Sequence, residues 1–269
     1  MMRFYSALFF LMLASNIYAQ DVPYVEREEK QFDFYPGGNL EVTAGAPGNL
    51  KIVGWQKGSI RMEAEKIVHN LPPEKAKTVI EQNPIRVKWN QTSATIRTIV
   101  SPASEVAMEI NLTLYVPQEK TDISAKVFRG NFSVDQVNGW IESTILYGDI
   151  TAKSVAGYFS AVTQQGSIYA DMSGNRWFGR EFAAITHAGS AKLLLPIHYS
   201  AALQLETNKG KVAVDYPAQV ADGEAAPLAV LTKKNAQSLK AVVGDGGPLV
   251  KLFTFSGDVT LAKKPQNTN

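Results

Sequence analysis

The chain has 269 residues, with 27 Lys and Arg against 25 Asp and Glu for a formal net charge of +2, and it contains no cysteine. So even a charge balance gives no ground for a nucleic-acid partner. The lack of cysteine excludes disulfides, thiolate metal sites, a cysteine nucleophile and a lipid-modified cysteine.

The amino terminus carries Arg3, an apolar run from Ala7 to Ala14, and a small residue at Ala19. That layout predicts a secretory signal peptide over residues 1–19, cut after Ala19. The apolar run is shorter than the roughly 20 residues a spanning helix needs, and no later segment reaches that length. The chain is therefore expected to be exported, to the periplasm, the outer cell envelope or the extracellular space, with no membrane span after cleavage. Residues 20–30 read as a flexible segment, 31–262 as a single β-repeat domain, and 263–269 as a polar tail.

Within the domain, three ten-residue units follow one another: Gly38-Asn39-Leu40-Glu41-Val42, Gly48-Asn49-Leu50-Lys51-Ile52 and Gly58-Ser59-Ile60-Arg61-Met62. Each reads glycine, turn residue, apolar, polar, apolar, which predicts short strands between glycine turns and an N-terminal strand layer. Pro72 and Pro73 open a short helix over Glu74 to Gln82, and Pro84 stops it. Ile85 to Trp89 and Ala94 to Val100 form a hairpin across Asn90 to Ser93. Val106 to Val116 alternates cleanly as a strand, and Pro117 ends it.

From Thr121 to Asn175 a glycine returns every nine residues, at Gly130, Gly139, Gly148, Gly157 and Gly166. The third residue of each unit is apolar (Phe132, Ile141, Ile150, Phe159, Ile168), and the fifth is small or apolar (Val134, Ser143, Ala152, Ala161, Ala170). This alternation predicts strands with one buried face, repeated at a fixed interval. Two units make an 18-residue coil. Phe132, Ile150 and Ile168 then stack on one wall, and Ile141 and Phe159 on the other, about 4.8 Å apart. The fold class expected is all-β, a short right-handed β-solenoid of stacked strand repeats with one short helix near the N-terminal third.

Beyond Ile168 the period loosens, but threonine keeps its place three residues before a glycine at Thr163, Thr186, Thr207 and Thr254. Two insertions interrupt: Asn175 to Ala188, with Trp177 and Phe178, and Pro217 to Pro248, with a hairpin expected around Lys233-Lys234-Asn235. Leu249 to Phe255 and Gly257 to Leu261 repeat the unit and are expected to cap the array.

The ordered set Gly48 to Trp55, Leu114-Tyr115-Val116-Pro117, Gly148 to Ala152, Thr207 to Val212 and Thr254 to Leu261 resembles the putative-adhesin, β-strand-repeat family of bacterial envelope proteins, a family of undefined function. The resemblance runs from about Phe32 to Ala262. It implies a right-angled set of stacked strands and an adhesin-like role.

Chemistry is sparse. His69, His187 and His198 fall at unrelated places in the period, so no imidazole metal site is expected. Calcium solenoids of nine-residue period need an aspartate in every unit. Here Asp135 and Asp171 recur, but Thr144, Lys153 and Val162 intervene. Asp149 and Asp258 follow glycines and read as turn formers. No Gly-x-Ser-x-Gly is present. Catalytic residues, metal and cofactors are all expected to be none.

Trp140 and Tyr158 occupy the same place in alternate units and should stack on one edge of the coil, with Trp177 continuing the row. These three are the ligand-contact candidates, because flat aromatic faces with polar rims suit sugar rings or a partner's edge. The simpler reading is that they shield the turn edge or pack beneath the insertion at Asn175 to Ala188. The function expected is a non-catalytic envelope binding or scaffold protein, with a glycan or a cell-envelope protein as partner and self-association open through sheet edges. A polysaccharide-active β-helix hydrolase or lyase is the enzymatic alternative, and it would need three or more carboxylates on one groove. An envelope-stress regulatory accessory is a third.

Overall fold

Alternating apolar and polar residues become strands along nearly the whole chain in the computed structural model, which describes residues 22–101, 108–217, 219–221, 224–226 and 228–265. The N-terminal part supplies β1 (Tyr24–Asp33), β2 (Asn39–Ala44), β3 (Leu50–Trp55), β4 (Ser59–Val68), helix α1 (Pro73–Gln82), β5 (Arg86–Trp89), β6 (Ser93–Thr98) and β7 (Met108–Pro117). The glycine-paced region supplies β8 (Asp122–Arg129), β9 (Phe132–Asp135), β10 (Asn138–Tyr147), β11 (Ile150–Lys153), β12 (Ala156–Gln165) and β13 (Ile168–Asp171). Then come β14 (Gly179–Ala188), β15 (Ala191–Leu195), β16 (Ala201–Thr207), β17 (Val212–Asp215), the isolated pair β18 (Gln219–Ala221) and β19 (Glu224–Ala226), β20 (Leu231–Lys233), β21 (Ala236–Val243), β22 (Leu249–Ser256) and β23 (Val259–Lys263). The protein is all-β with one helix, and among the described residues no helix is long and apolar enough to cross a membrane.

Two large sheets hold these strands. One has ten, in the order β1-β4-β7-β3-β9-β11-β13-β15-β23-β17, and the other eleven, in the order β20-β21-β16-β22-β14-β12-β10-β8-β2-β6-β5. From β8 to β17 successive strands alternate between the sheets, so each consecutive pair forms one layer. Layers stack in parallel register. Ile150 pairs with Phe132 on one side and Ile168 on the other, while Ile141 pairs with Phe159. All five are buried, and Ala152, Ala161 and Ala170 lie in the same core. The small residues let the two walls approach, and the core continues as Phe159 stacks on Phe182 at 4.6 Å.

The corner between the sheets explains the recurring motif. Gly148 has φ +152°, and a side chain there would run into the carbonyl of Gly130 in the layer below; Gly166 meets Gly148 in the same way. Only glycine fits this approach. The threonine three residues earlier is buried and donates its hydroxyl to the stacked glycine carbonyl: Thr163 to Gly148 at 2.9 Å, Thr186 to Gly166 at 2.7 Å, and Thr254 to Gly189 and Thr207 to Gly257 at 2.8 Å. The residue after the glycine forms a second ladder. Asn49 Oδ1 accepts the Asn131 N–H, Asn131 Oδ1 accepts the Asp149 N–H, and Asp149 Oδ1 accepts the Ser167 N–H, at 2.7–2.9 Å. Asp149 is thus a bridge between layers as well as a turn former.

Both ends of the stack depart from chain order. The layer made of β2 and β3 sits between β6 and β7 below and β8 and β9 above, all in parallel. The expected N-terminal strand layer is therefore not separate from the stack; β2 and β3 lie in different sheets. At the other end β22 pairs with both β14 and β16, and β23 with both β15 and β17. The expected C-terminal cap is an interior layer. The outer strands are β17 in one sheet and the β20–β21 hairpin in the other. Parallel stacking asks only for a matching corner and face, and the last repeat supplies Thr254, Gly257 and Val259 wherever it falls in the chain.

Starting within the segment expected to be flexible, Tyr24 to Asp33 pairs along its full length with β4. Alternation there is hidden by charge: Arg27 binds Glu65 at 2.9 Å, Glu29 binds Arg61 at 3.1 Å, and Glu28 binds Lys66 at 2.9 Å. The start of the expected polar tail is also placed. Lys263 belongs to β23, and Lys264 reaches Asp171 at 2.6 Å. The signal peptide expected at 1–19, residues 106–107 of the seventh strand and residues 266–269 lie outside the described residues.

The helix and hairpin form where proline and asparagine place them. α1 starts at Pro73, buries Ala76 and Ile80 against β1 and β4, and is closed by Asn83 Nδ2 donating to the Val79 carbonyl at 2.7 Å. Asn90 Oδ1 accepts the N–H groups of Thr92 and Ser93, which turns β5 into β6.

Candidate binding edge

Near the start of β10 and β12 a glycine, Gly139 or Gly157, leaves the next side chain at the rim. Trp140 and Tyr158 fall there and pair in register. Their rings stack at 4.0 Å between centroids and 26° between planes. Trp140 is 39% exposed. It is held on both sides, its backbone N–H donating to Asp122 Oδ1 at 2.9 Å and its indole N–H to Glu142 Oε1 at 2.8 Å. The Arg180 guanidinium lies 5.9 Å from the Trp140 ring centroid. The aromatic pair expected from spacing is therefore present, with one residue of the Asn175 to Ala188 insertion above it.

Trp177 does not continue the row. The register shifts between Gly157 and Tyr158 where β12 meets β14, so Gly157 pairs with Gly179 and Tyr158 with Glu181. Trp177 lies before the start of β14, is turned inward at 3% exposure, and packs edge-on against Phe182 at 5.5 Å. Phe178 takes the outer place instead, 54% exposed, with the Arg176 guanidinium 4.9 Å from its ring centroid. Its carbonyl accepts the Gly157 N–H at 2.6 Å, which ties this loop directly to the strand that carries Tyr158.

Beside Phe178 the two insertions meet in a cleft of about 590 Å³, lined by Asn175, Arg176, Trp177, Ser200 and Asp245 among others. Ser200 donates its N–H to the Asn175 carbonyl at 2.7 Å, and its Oγ accepts the Asp245 N–H at 3.1 Å. Beneath it Tyr199 is fully buried, and burial together with Tyr216 holds its phenol neutral by pushing its pKa well up. The Trp177 indole N–H is buried without a hydrogen-bond partner. Period counting could not find this cleft, because Arg176, Ser200 and Asp245 come from segments outside the repeat. The available signal was the adjacent pair Trp177-Phe178 flanked by Arg176 and Arg180.

A second concavity of about 390 Å³ lies over β1 and β4, where Glu28, Glu29, Glu63 and Glu65 line it. Each carboxylate there has a cation: Lys66, Arg61, Arg61 and Arg27 respectively. The histidines are scattered, His69 beside Glu109 and His187 stacked on Phe255. Among the described residues no group of three or more His, Cys, Asp or Glu could hold a metal ion.

No protein-family model matches the chain, and no curated protein matches it. Solved structures are similar to it along most of its length. A putative cell adhesion protein from Clostridium sporogenes has 14% identity and a TM-score of 0.46, covering 89% of this chain and 100% of its own. A putative adhesin from Bacteroides fragilis has 9% identity and a TM-score of 0.31, covering 89% and 97%. A putative lipid binding protein from Parabacteroides distasonis has 11% identity and a TM-score of 0.26, covering 87% and 96%.

Proposed function

We propose that this chain is an exported, non-catalytic, adhesin-like binding or scaffold protein of the cell envelope, built as a short right-handed β-solenoid. The observation that carries the reading is the Trp140–Tyr158 stack, which offers aromatic surface on a rim fixed by parallel pairing below it. Aromatic faces of this kind contribute large contact area at little entropic cost, and rigid mounting removes most of the rest. The partner is a glycan or a cell-envelope protein. Replacing both Trp140 and Tyr158 by Ala tests this in an assay for glycans and isolated envelope fractions. Binding should weaken strongly; unchanged binding, with the fold intact by circular dichroism, removes the aromatic edge as the contact.

A hydrolase or lyase is the second reading, and the four glutamates over β1 and β4 are the observation in its favour. Their ion pairs argue for strand pairing instead, since a general acid needs a carboxyl free to hold a proton at working pH. Release of reducing ends from envelope polysaccharide by the wild type, and its loss in Glu65→Gln, would move the assignment to an enzyme. Export itself is tested by the mass of the mature protein, which should begin after Ala19.

A further inference from the structure

The cleft between the two insertions is separate from the Trp140–Tyr158 stack but belongs to the same rim, since Phe178 is bonded to Gly157 and Arg180 overhangs Trp140. Its volume of about 590 Å³ is that of a site for one small ring and its substituents. Its two charged side chains are uncommitted: among the described residues the Asp245 carboxylate has no ion pair, and Arg176 has only the Phe178 ring. A second observation points the same way. Trp177 is 97% buried by its 3% exposure, yet its indole N–H meets no acceptor. Buried donors are nearly always paired, by protein, water or ligand.

We propose that this cleft is a sugar subsite that takes a terminal neutral pyranose, with the rest of the glycan running over Tyr158 and Trp140. The proposal rests on the binding reading above and assigns its specificity to the insertions. One acidic and one basic side chain flank the cleft, so for a ring of either charge one attraction is offset by one repulsion, whereas a neutral ring with several hydroxyls can donate to Asp245 and accept from Arg176 together. The exposed Phe178 ring supplies the flat apolar surface that pyranoses cover with their C–H face. Trp177 lines the cleft and its indole N–H is closed to solvent, so a bound hydroxyl, or the water it orders, supplies the missing acceptor once the Arg176 to Phe178 loop gives way to it.

Isotope-labelled full-length protein, with the Trp177 indole signal assigned from Trp177→Phe, tests this by titration with methyl glucoside, methyl galactoside, methyl mannoside and N-acetylglucosamine. Glucuronic acid and glucosamine serve as the charged arms. The expected result is a saturable shift of the Trp177 signal with at least one neutral sugar. Asp245→Ala should weaken it about tenfold, the worth of one hydrogen bond to a charged group. Asp245 is exposed and, among the described residues, its carboxylate makes no hydrogen bond or ion pair, so this variant keeps the fold. The Trp140→Ala, Tyr158→Ala double variant should keep the monosaccharide shift and lose affinity only for longer chains. A Trp177 signal that no neutral sugar moves, that only a charged sugar moves, or that shifts undiminished in Asp245→Ala overturns the subsite. If envelope fractions still bind in that case, the binding reading stands without it; if the wild type binds no envelope fraction, the binding reading falls on its own.

Discussion

The buried hydroxyl of Thr186 donates to the carbonyl of Gly166, one layer below, at 2.7 Å. That bond links the side chain of one repeat to the backbone corner of another, and it recurs at every threonine the motif retains. In Thr186→Val the shape is kept while the carbonyl loses its donor. The expected cost is about 1–2 kcal/mol. Urea unfolding of Thr186→Val and Thr186→Ser reads it, with the serine variant close to wild type.

Gly148→Ala should be far more damaging than its single methyl suggests. The methyl would run into the Gly130 carbonyl, and φ of +152° is unfavourable for any residue with a Cβ. Overpacking and backbone strain together amount to about 3 kcal/mol or more. Equal thermal midpoints for the variant and wild type would show that the corner can open.

Removing residues 249–269 takes out an interior layer. β22 and β23 are each paired on both sides, so the truncation strands β14 from β16 and β15 from β17 and bares four strand edges. The expected product lacks a cooperative transition and aggregates. A truncated chain that melts like the full one by circular dichroism would contradict the stacking order.

Lys66 lies on the buried side of β4 with Met62, Ala64 and Val68, and is 5% exposed. Glu28 Oε2 meets its Nζ at 2.9 Å and Glu26 Oε1 at 3.8 Å. Glu28→Gln leaves that ammonium underpaired and should cost about 1–3 kcal/mol, whereas Lys66→Met removes the charge and should change stability by about 1 kcal/mol or less. Denaturant midpoints of the two variants give the comparison, and the reverse order would mean that the pair stabilises rather than compensates.

Much of the architecture was legible because a parallel stack repeats its needs at a fixed interval. Phe132, Ile150 and Ile168 on one wall, and Trp140 against Tyr158 at the rim, follow from counting nine and then 18 residues. Helix α1 and the Asn90 turn followed from proline and asparagine chemistry. β1 was not legible: Glu26, Glu28 and Lys30 look like solvated charge until their partners on β4 are placed opposite them.

The sequence by itself determined the local unit: glycine where the backbone must pass a neighbouring carbonyl, threonine to satisfy that carbonyl, and apolar residues at alternate places to fill the wall. Which unit lies on which was decided only by the tertiary structure. Parallel pairing has no loop that records its partner, so β2 and β3 could enter below β8 and β9, and β22 and β23 between two earlier layers, without any mark in the repeat. The direction of Trp177 was decided at the same level. The insertion before β14 makes Glu181, and not Trp177, the register partner of Tyr158; Trp177 packs into the core and Phe178 stands at the rim.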